Sequence, residues 1–260
     1  MATHLRELVL NEARAFAVFA NGRLHDHRFA VSLVCEELLD NRYNRAHVIE
    51  PANLTGESLE EISRDFHSVR VPLRLDLFLP IPPETQSLLE RRQFDLTEDH
   101  ASEMVLGKSA TELRRNRAVR LERLPPHLVN TFSTLMLKAY DTPPDLIPTL
   151  ASTFRHTIPR ALNHKGVILY LASLESEPVG TLYVFSQGGV GGVYNLAVAL
   201  HARRQGVATT LMLQAIEDSL TAGNHTLCLQ TRVGSFQERF FERLGFHTIA
   251  RRKRAVRRHA

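Results

Sequence analysis

A chain of 260 residues has room for one large domain or two smaller ones of about 130 residues, each with a real core. Its 43% hydrophobic and 23% charged residues are those of an ordinary globular protein, with a net charge of +4. No apolar run approaches the ~18–20 residues that cross a bilayer, and the N-terminus lacks a secretory pattern, so a cytoplasmic protein without a membrane partner is expected.

Along the first half, His25-Asp26-His27 stands alone in a polar stretch and reads as a turn; no metal is expected. Cys35, like Cys228 later in the chain, sits among apolar residues and reads as a buried thiol. A helix is predicted from about Glu57 to Phe66, with Asn53 or Thr55 as its cap. Leu75-Asp76-Leu77-Phe78 reads as a strand, and Pro83 to Phe94 carries the next helix and strand start. Gly107 to Arg117, polar and basic, reads as a linker.

The second half opens with a strand over Ala118 to Leu124. Pro125-Pro126 starts a helix reaching about Tyr140, since a first helical turn tolerates the missing N–H of proline. Asp141-Thr142-Pro143-Pro144 breaks it, and a second helix from Asp145 to Leu162 is expected to kink near Pro148 and Pro159. Val167 to Ser173 and Val179 to Ser186 form a hairpin with Glu177-Pro178 in the turn. The glycine-rich Gln187 to Gly192 reads as a flexible connection, its Gly-Gly pair marking a turn rather than a second phosphate loop.

A buried strand follows, Val193-Tyr194-Asn195-Leu196-Ala197-Val198-Ala199-Leu200, then Arg203-Arg204-Gln205-Gly206-Val207-Ala208, then a helix from Val207 to Leu220. A helix that starts after a glycine presents unpaired N–H groups, and these with the helix dipole and nearby guanidinium groups suit a diphosphate. Gly206 lets the chain turn tightly and lets a ligand approach its backbone. Thr226 to Thr231 reads as the next strand, Phe236 to Arg243 as a short helix, and Leu244-Gly245-Phe246 closes it. The basic tail from Arg251 to Arg258 lacks aromatic interleaving, so a solvated last strand is expected and nucleic acid is not.

The spacing Arg-x-x-Gly-x-Ala at Arg203 to Ala208, with the strand before it and Gly245-Phe246 after it, resembles the pyrophosphate loop of the GNAT superfamily of acyl-CoA N-acyltransferases. That resemblance covers 116–250 well and 1–110 faintly. It implies an α/β (α+β) fold with a mixed, mostly antiparallel sheet flanked by helices. It also implies acetyl-CoA as co-substrate and a small-molecule primary amine as acceptor, by direct transfer in a ternary complex. Acylation of a protein N-terminus or lysine, and a non-catalytic acyl-CoA sensor, stay open. The resemblance gives the pyrophosphate to Arg203, Arg204, Gln205, Gly206, Val207, Ala208 and Thr209, and the pantetheine arm to Leu196, Ala197 and Val198, with an oxyanion donor near Val198.

The family often carries a carboxylate base on this strand, where the chain offers Tyr194 and Asn195. Where the family commonly has a tyrosine acid, the chain has Phe241, which packs against coenzyme A but donates no proton. Three alternatives remain: catalysis by positioning, a substitute hydroxyl from Tyr194 or Ser235, or binding without turnover. His156 and His164, near the expected acceptor side, read as solvent-facing.

A faint internal repeat links the halves. At an offset of 152, Leu75, Leu77, Glu90, Arg91 and Phe94 match Leu227, Leu229, Glu242, Arg243 and Phe246; at 151, Tyr43, Asn44 and Ala46 match Tyr194, Asn195 and Ala197. Opposite the arginine loop stands Ala52-Asn53-Leu54-Thr55-Gly56-Glu57, without arginine and with a carboxylate that repels diphosphate. Two domains in tandem are therefore expected, a degenerate GNAT-like domain over 1–110 and an acyl-CoA domain over 111–260.

Overall fold

The computed structural model describes residues 2–38, 40, 42–107 and 113–258. The elements of the first half are α1 (Ala2–Ala20), β1 (Arg23–Asp26), β2 (Ala30–Val34), β3 (Arg45–Val48), α2 (Gly56–Asp65), β4 (Arg74–Phe78), α3 (Pro83–Arg91) and β5 (Phe94–Leu106). Next come β6 (Arg120–Arg123), α4 (Val129–Ala139), α5 (Ile147–Leu162), β7 (Val167–Leu174), β8 (Glu177–Gln187) and β9 (Val190–Val198). The chain ends with α6 (Val207–Thr221), β10 (Thr226–Arg232), α7 (Phe236–Arg243) and β11 (Phe246–Arg257). Short 3-10 turns at Pro51–Asn53 and Leu200–Ala202 precede α2 and α6. Part of the linker expected over 107–117, namely 108–112, lies outside the described residues.

By internal contacts the chain divides into two compact units, Met1–Lys108 with Gln230–Ala260, and Ser109–Leu229. In the first, strands run in the order β1-β2-β3-β4-β11-β5, with β3 and β4 parallel and the other pairs antiparallel. In the second the order is β10-β9-β8-β7-β6, with β9 and β10 parallel and the rest antiparallel. Three antiparallel strands, a 3-10 turn, a helix and a parallel strand thus occur twice, matching the repeated element order read from sequence.

Local chemistry accounts for several element ends. Thr55 caps α2: its hydroxyl accepts from the Ser58 N–H, and the Ser58 hydroxyl accepts from the Thr55 N–H, a closed capping box. Gly188 and Gly189, at φ 61° and 78°, turn the chain between β8 and β9. The β7–β8 turn instead lies at Glu175-Ser176, both left-handed, so Glu177 and Pro178 belong to β8 and not to the turn. Pro148 sits in the first turn of α5, and Pro159 lies inside a helix that continues through it.

The last strand departs most from expectation. β11 lies between β4 and β5 and pairs with both. Arg252 is therefore 3% exposed, and Ala255 is fully buried in the core with Leu75, Leu77 and Phe94. The strand is thus paired on both edges and buries Arg252, while the side chains of Arg251, Arg257 and Arg258 are exposed, so the run is solvated only in part.

Candidate functional site

Strand β9 forms the site's backbone. It follows β8 throughout, but the register slips by one between Thr181/Ala197 and Tyr183/Tyr194, so Asn195 and Leu196 together oppose Leu182. This is a β-bulge. Asn195 takes φ 50°, a conformation asparagine tolerates better than the apolar residues beside it, and the Thr181 hydroxyl donates to its carbonyl at 3.1 Å. The side-chain amide nitrogen of Asn195 is buried without a hydrogen-bond partner.

On its other side β9 pairs with β10 for only three residues, Val190, Gly191 and Gly192 opposite Thr226, Leu227 and Cys228. Past the bulge the backbone direction is fixed by one bond: Ala199 N–H donates to Val179 O at 2.8 Å, toward β8. Strand alternation turns Ala197 the same way and aims the N–H and C=O groups of Leu196 and Val198 at the opposite edge. Among the described residues, that edge has no strand partner. The Tyr140 hydroxyl, from the end of α4, donates to the Leu196 carbonyl at 3.2 Å. Arg203 bridges the Val198 and Ala139 carbonyls, each at 3.3 Å.

The loop that follows turns on two left-handed residues, Arg204 at φ 64° and Gly206 at φ 74°. Gly206 is the N-cap of α6 and offers no side-chain acceptor. The helix's first internal bond runs from Thr210 N–H to Gly206 O, leaving the N–H groups of Val207, Ala208 and Thr209 ahead of it. Gly180 on β8 seats this helix start: a Cβ there would lie 2.8 Å from Val207 Cγ1. Arg203, Arg204 and Gln205 are exposed beside these donors. The combination fits a diphosphate on the helix start and an amide-bearing arm along the β9 edge.

Asn116, which the sequence reading passed over, braces this loop. Its side-chain amide donates to Gln205 O at 2.8 Å, and its backbone N–H donates to the Thr210 hydroxyl at 2.9 Å. A Cβ on Gly206 would stand 3.1 Å from Asn116 Cβ. In the sequence Tyr140 marks only a helix end. No local pattern marks either residue, because their partners lie 56 to 94 positions away.

The remaining predicted residues are dispersed. Tyr194 is 4% exposed, its ring 5.8 Å from that of Tyr183. Phe241 belongs to the other compact unit, buried on α7 edge-on to Phe246, and Ser235 caps that helix through the Glu238 N–H. His156 and His164 are exposed. Cys35 and Cys228 are buried and not joined in a disulfide, and burial pushes the Cys35 thiol up to about 12. His25 and Asp26 lie in β1, not in a turn, and His27 Nε2 meets Asp65 at 2.6 Å. Among the described residues no cluster of His, Cys, Asp or Glu has the arrangement of a metal site, and no helix is long and apolar enough to cross a membrane.

The first unit holds its charges elsewhere. Glu12, Arg45, His47, Arg74, Asp76, Glu103 and Arg252 are all buried together. Arg252 donates to Glu12 at 2.9 Å and to His47 at 2.9 Å, and Arg74 grips Asp76 through two bonds of 2.8 Å. Burial alone would raise Glu12, but Arg252 and Arg45 bring it down to about 2. Burial raises Glu103 to about 7 and lowers His47 to about 3.

Residues 134–246 match the model of the Acetyltransferase (GNAT) family. No curated protein matches significantly in sequence. Among solved structures, a GCN5-related N-acetyltransferase from Kribbella flavida is similar at a TM-score of 0.67 and 16% identity, over 97% of this chain and 96% of that one. A conserved protein of unknown function from Staphylococcus epidermidis gives 0.67 and 14%, over 93% and 96%. A tandem GNAT protein from the clavulanic acid biosynthesis pathway gives 0.58 and 14%, over 82% and 74%. At these identities the likeness is one of fold. Residues 134–246 are thus similar to the GNAT acetyltransferase family, within a chain whose fold is like that of the tandem GNAT structure.

Proposed function

We propose that the protein is an N-acetyltransferase that moves an acetyl group from acetyl-CoA to a primary amine of a small molecule, in the cytoplasm. The observation that carries this reading is the open edge of β9, at Leu196 and Val198, leading directly into the uncapped start of α6. Backbone groups of Leu196 and Val198 would pair with the amides of the pantetheine arm. The N–H groups of Val207, Ala208 and Thr209, with Arg204 and Gln205 beside them, would hold the pyrophosphate. The acyl-CoA site belongs to residues 111–260, and residues 1–110 are its degenerate counterpart. Tyr194 is the hydroxyl on the strand itself.

Acetyl-CoA supplies an activated acyl group whose thiol departs readily, so holding the amine against it provides much of the rate. A second reading, an acyl-CoA sensor, is favoured by one feature: Val190–Val198 contains no carboxylate to act as base. Calorimetric titration with acetyl-CoA tests the site, and a screen of amines with detection of released thiol separates the two readings. One equivalent bound per chain with thiol released by an amine is expected. Absence of binding sinks both readings.

A further inference from the structure

Acyl transfer from a thioester is eased by a proton for the departing thiolate, and the described residues offer few groups able to give one at the β9 edge. The Thr181 hydroxyl is fully buried. Tyr194 is 4% exposed with its ring against Tyr183. Tyr140 differs from both. It is 45% exposed, stands at the C-terminal end of α4, and holds its hydroxyl 3.2 Å from the Leu196 carbonyl. That carbonyl faces the edge left open when β10 diverges from β9, and the Leu196 N–H faces the same way.

Two further contacts fix the backbone that carries the phenol. Arg203 ties the carbonyl of the preceding residue, Ala139, to Val198 O, the next edge carbonyl along β9. The backbone N–H of Tyr140 closes the last turn of α4 on Met136 O at 3.1 Å. The hydroxyl is thus anchored to the edge and still reachable from solvent.

Resting on the acyltransferase reading above, we propose that Tyr140 is the proton donor to the leaving thiolate of the acyl-CoA. The amine nitrogen forms the new bond to the acyl carbon and releases its proton to water. The carbon–sulfur bond breaks with its electron pair on sulfur. Sulfur takes the phenolic proton, and the Tyr140 oxygen is reprotonated from solvent before the next cycle. The phenol has a single proton, so its O–H turns from Leu196 O to sulfur for the transfer, and an amide of the pantetheine arm can then occupy the lone pairs of Leu196 O.

The test compares the wild-type chain, Tyr140→Phe and Tyr194→Phe, with acetyl-CoA as donor and hydroxylamine as a surrogate acceptor small enough for any amine cleft. Released thiol is followed from pH 6 to pH 11, and acetyl-CoA binding is measured by calorimetry. Tyr140→Phe should lose about 100-fold in kcat, lose the decline in rate at alkaline pH, and bind acetyl-CoA within about threefold of wild type. Tyr194→Phe should keep the alkaline decline. An unchanged kcat with the decline intact in Tyr140→Phe would overturn the proposal. So would a loss confined to acetyl-CoA affinity, which would make Tyr140 a positioning residue, and so would wild-type protein that binds acetyl-CoA but releases no thiol. Wild-type protein that binds no acetyl-CoA would remove the acyltransferase reading itself, a failure distinguishable from the other three.

Discussion

Helices α2 and α6 each follow a run of antiparallel strands and a short 3-10 turn, and each is followed by a strand parallel to the one before it. At α2 the chain satisfies its own helix start, with Thr55 and Ser58 exchanging bonds and Glu57 adding a carboxylate to the first turn. At α6 the cap is Gly206, which offers nothing, and arginines stand where the first half has Ala52 and Asn53. The strands differ in the same sense. By the repeat, Ala46 corresponds to Ala197, yet β3 pairs with β4 through Ala46, His47 and Val48, whereas β9 has left β10 by Val193. Where one half keeps an open edge, the other is zipped and filled with buried ion pairs. A shared fold therefore does not imply a shared site; free backbone donors and acceptors make one.

Five experiments would break or sharpen this contrast. The largest effect is expected from Arg252→Ala, which leaves Glu12, Asp76 and Glu103 buried without their shared cation. Loss of about 3–5 kcal/mol in urea unfolding is expected, and a loss under 1 kcal/mol would mean that the cluster is not what locks the first half. Next, Gly206→Glu should weaken acetyl-CoA binding by at least about 100-fold, roughly 2.7 kcal/mol, with the circular dichroism spectrum retained. Wild-type protein should bind one equivalent, and two equivalents would show that the α2 start also takes a ligand.

The buried carboxylates give a pH signature. Folding raises Glu103 from 4.5 to about 7, so its contribution to stability is full below 4.5 and is lost as pH rises toward 7. Glu12, lowered from 4.5 to about 2, contributes above 4.5 and loses that as pH falls toward 2. Glu103→Gln should therefore flatten the fall in urea midpoint between pH 4.5 and pH 7 and leave the acid limb alone; an identical slope in both proteins would refute this. Asn116→Ala removes the side-chain bond to Gln205 O and should cost about fivefold in acetyl-CoA affinity, near 1 kcal/mol, with thermal stability little changed. The smallest effect belongs to Thr55→Ala: about 1 kcal/mol of stability from the lost cap, and no change in acetyl-CoA affinity. A change in affinity there would tie the first half's helix start to the ligand.

The sequence by itself determined what a few neighbouring residues control. The range of α7 was read as it stands and that of α6 to within one residue, because apolar spacing and a capping residue are local properties. The uncapped glycine start of α6, a cap for α2 at Asn53 or Thr55, and the Gly188-Gly189 turn are legible for the same reason. Asn195, a polar residue in an apolar strand, was a visible mark of the bulge that went unread. Tertiary structure alone decided the rest. Whether β9 stays beside β10, or β3 beside β4, depends on register between distant segments, which a period of two leaves undetermined. Nothing local sets Arg252 apart from its basic neighbours until β4 and β5 close around its strand and carboxylates from α1, β4 and β5 meet it. Asn116 and Tyr140 gain their places from backbone groups far along the chain. Hydrogen bonds to such groups leave no trace in composition or spacing, since a carbonyl is the same acceptor whichever residue carries it.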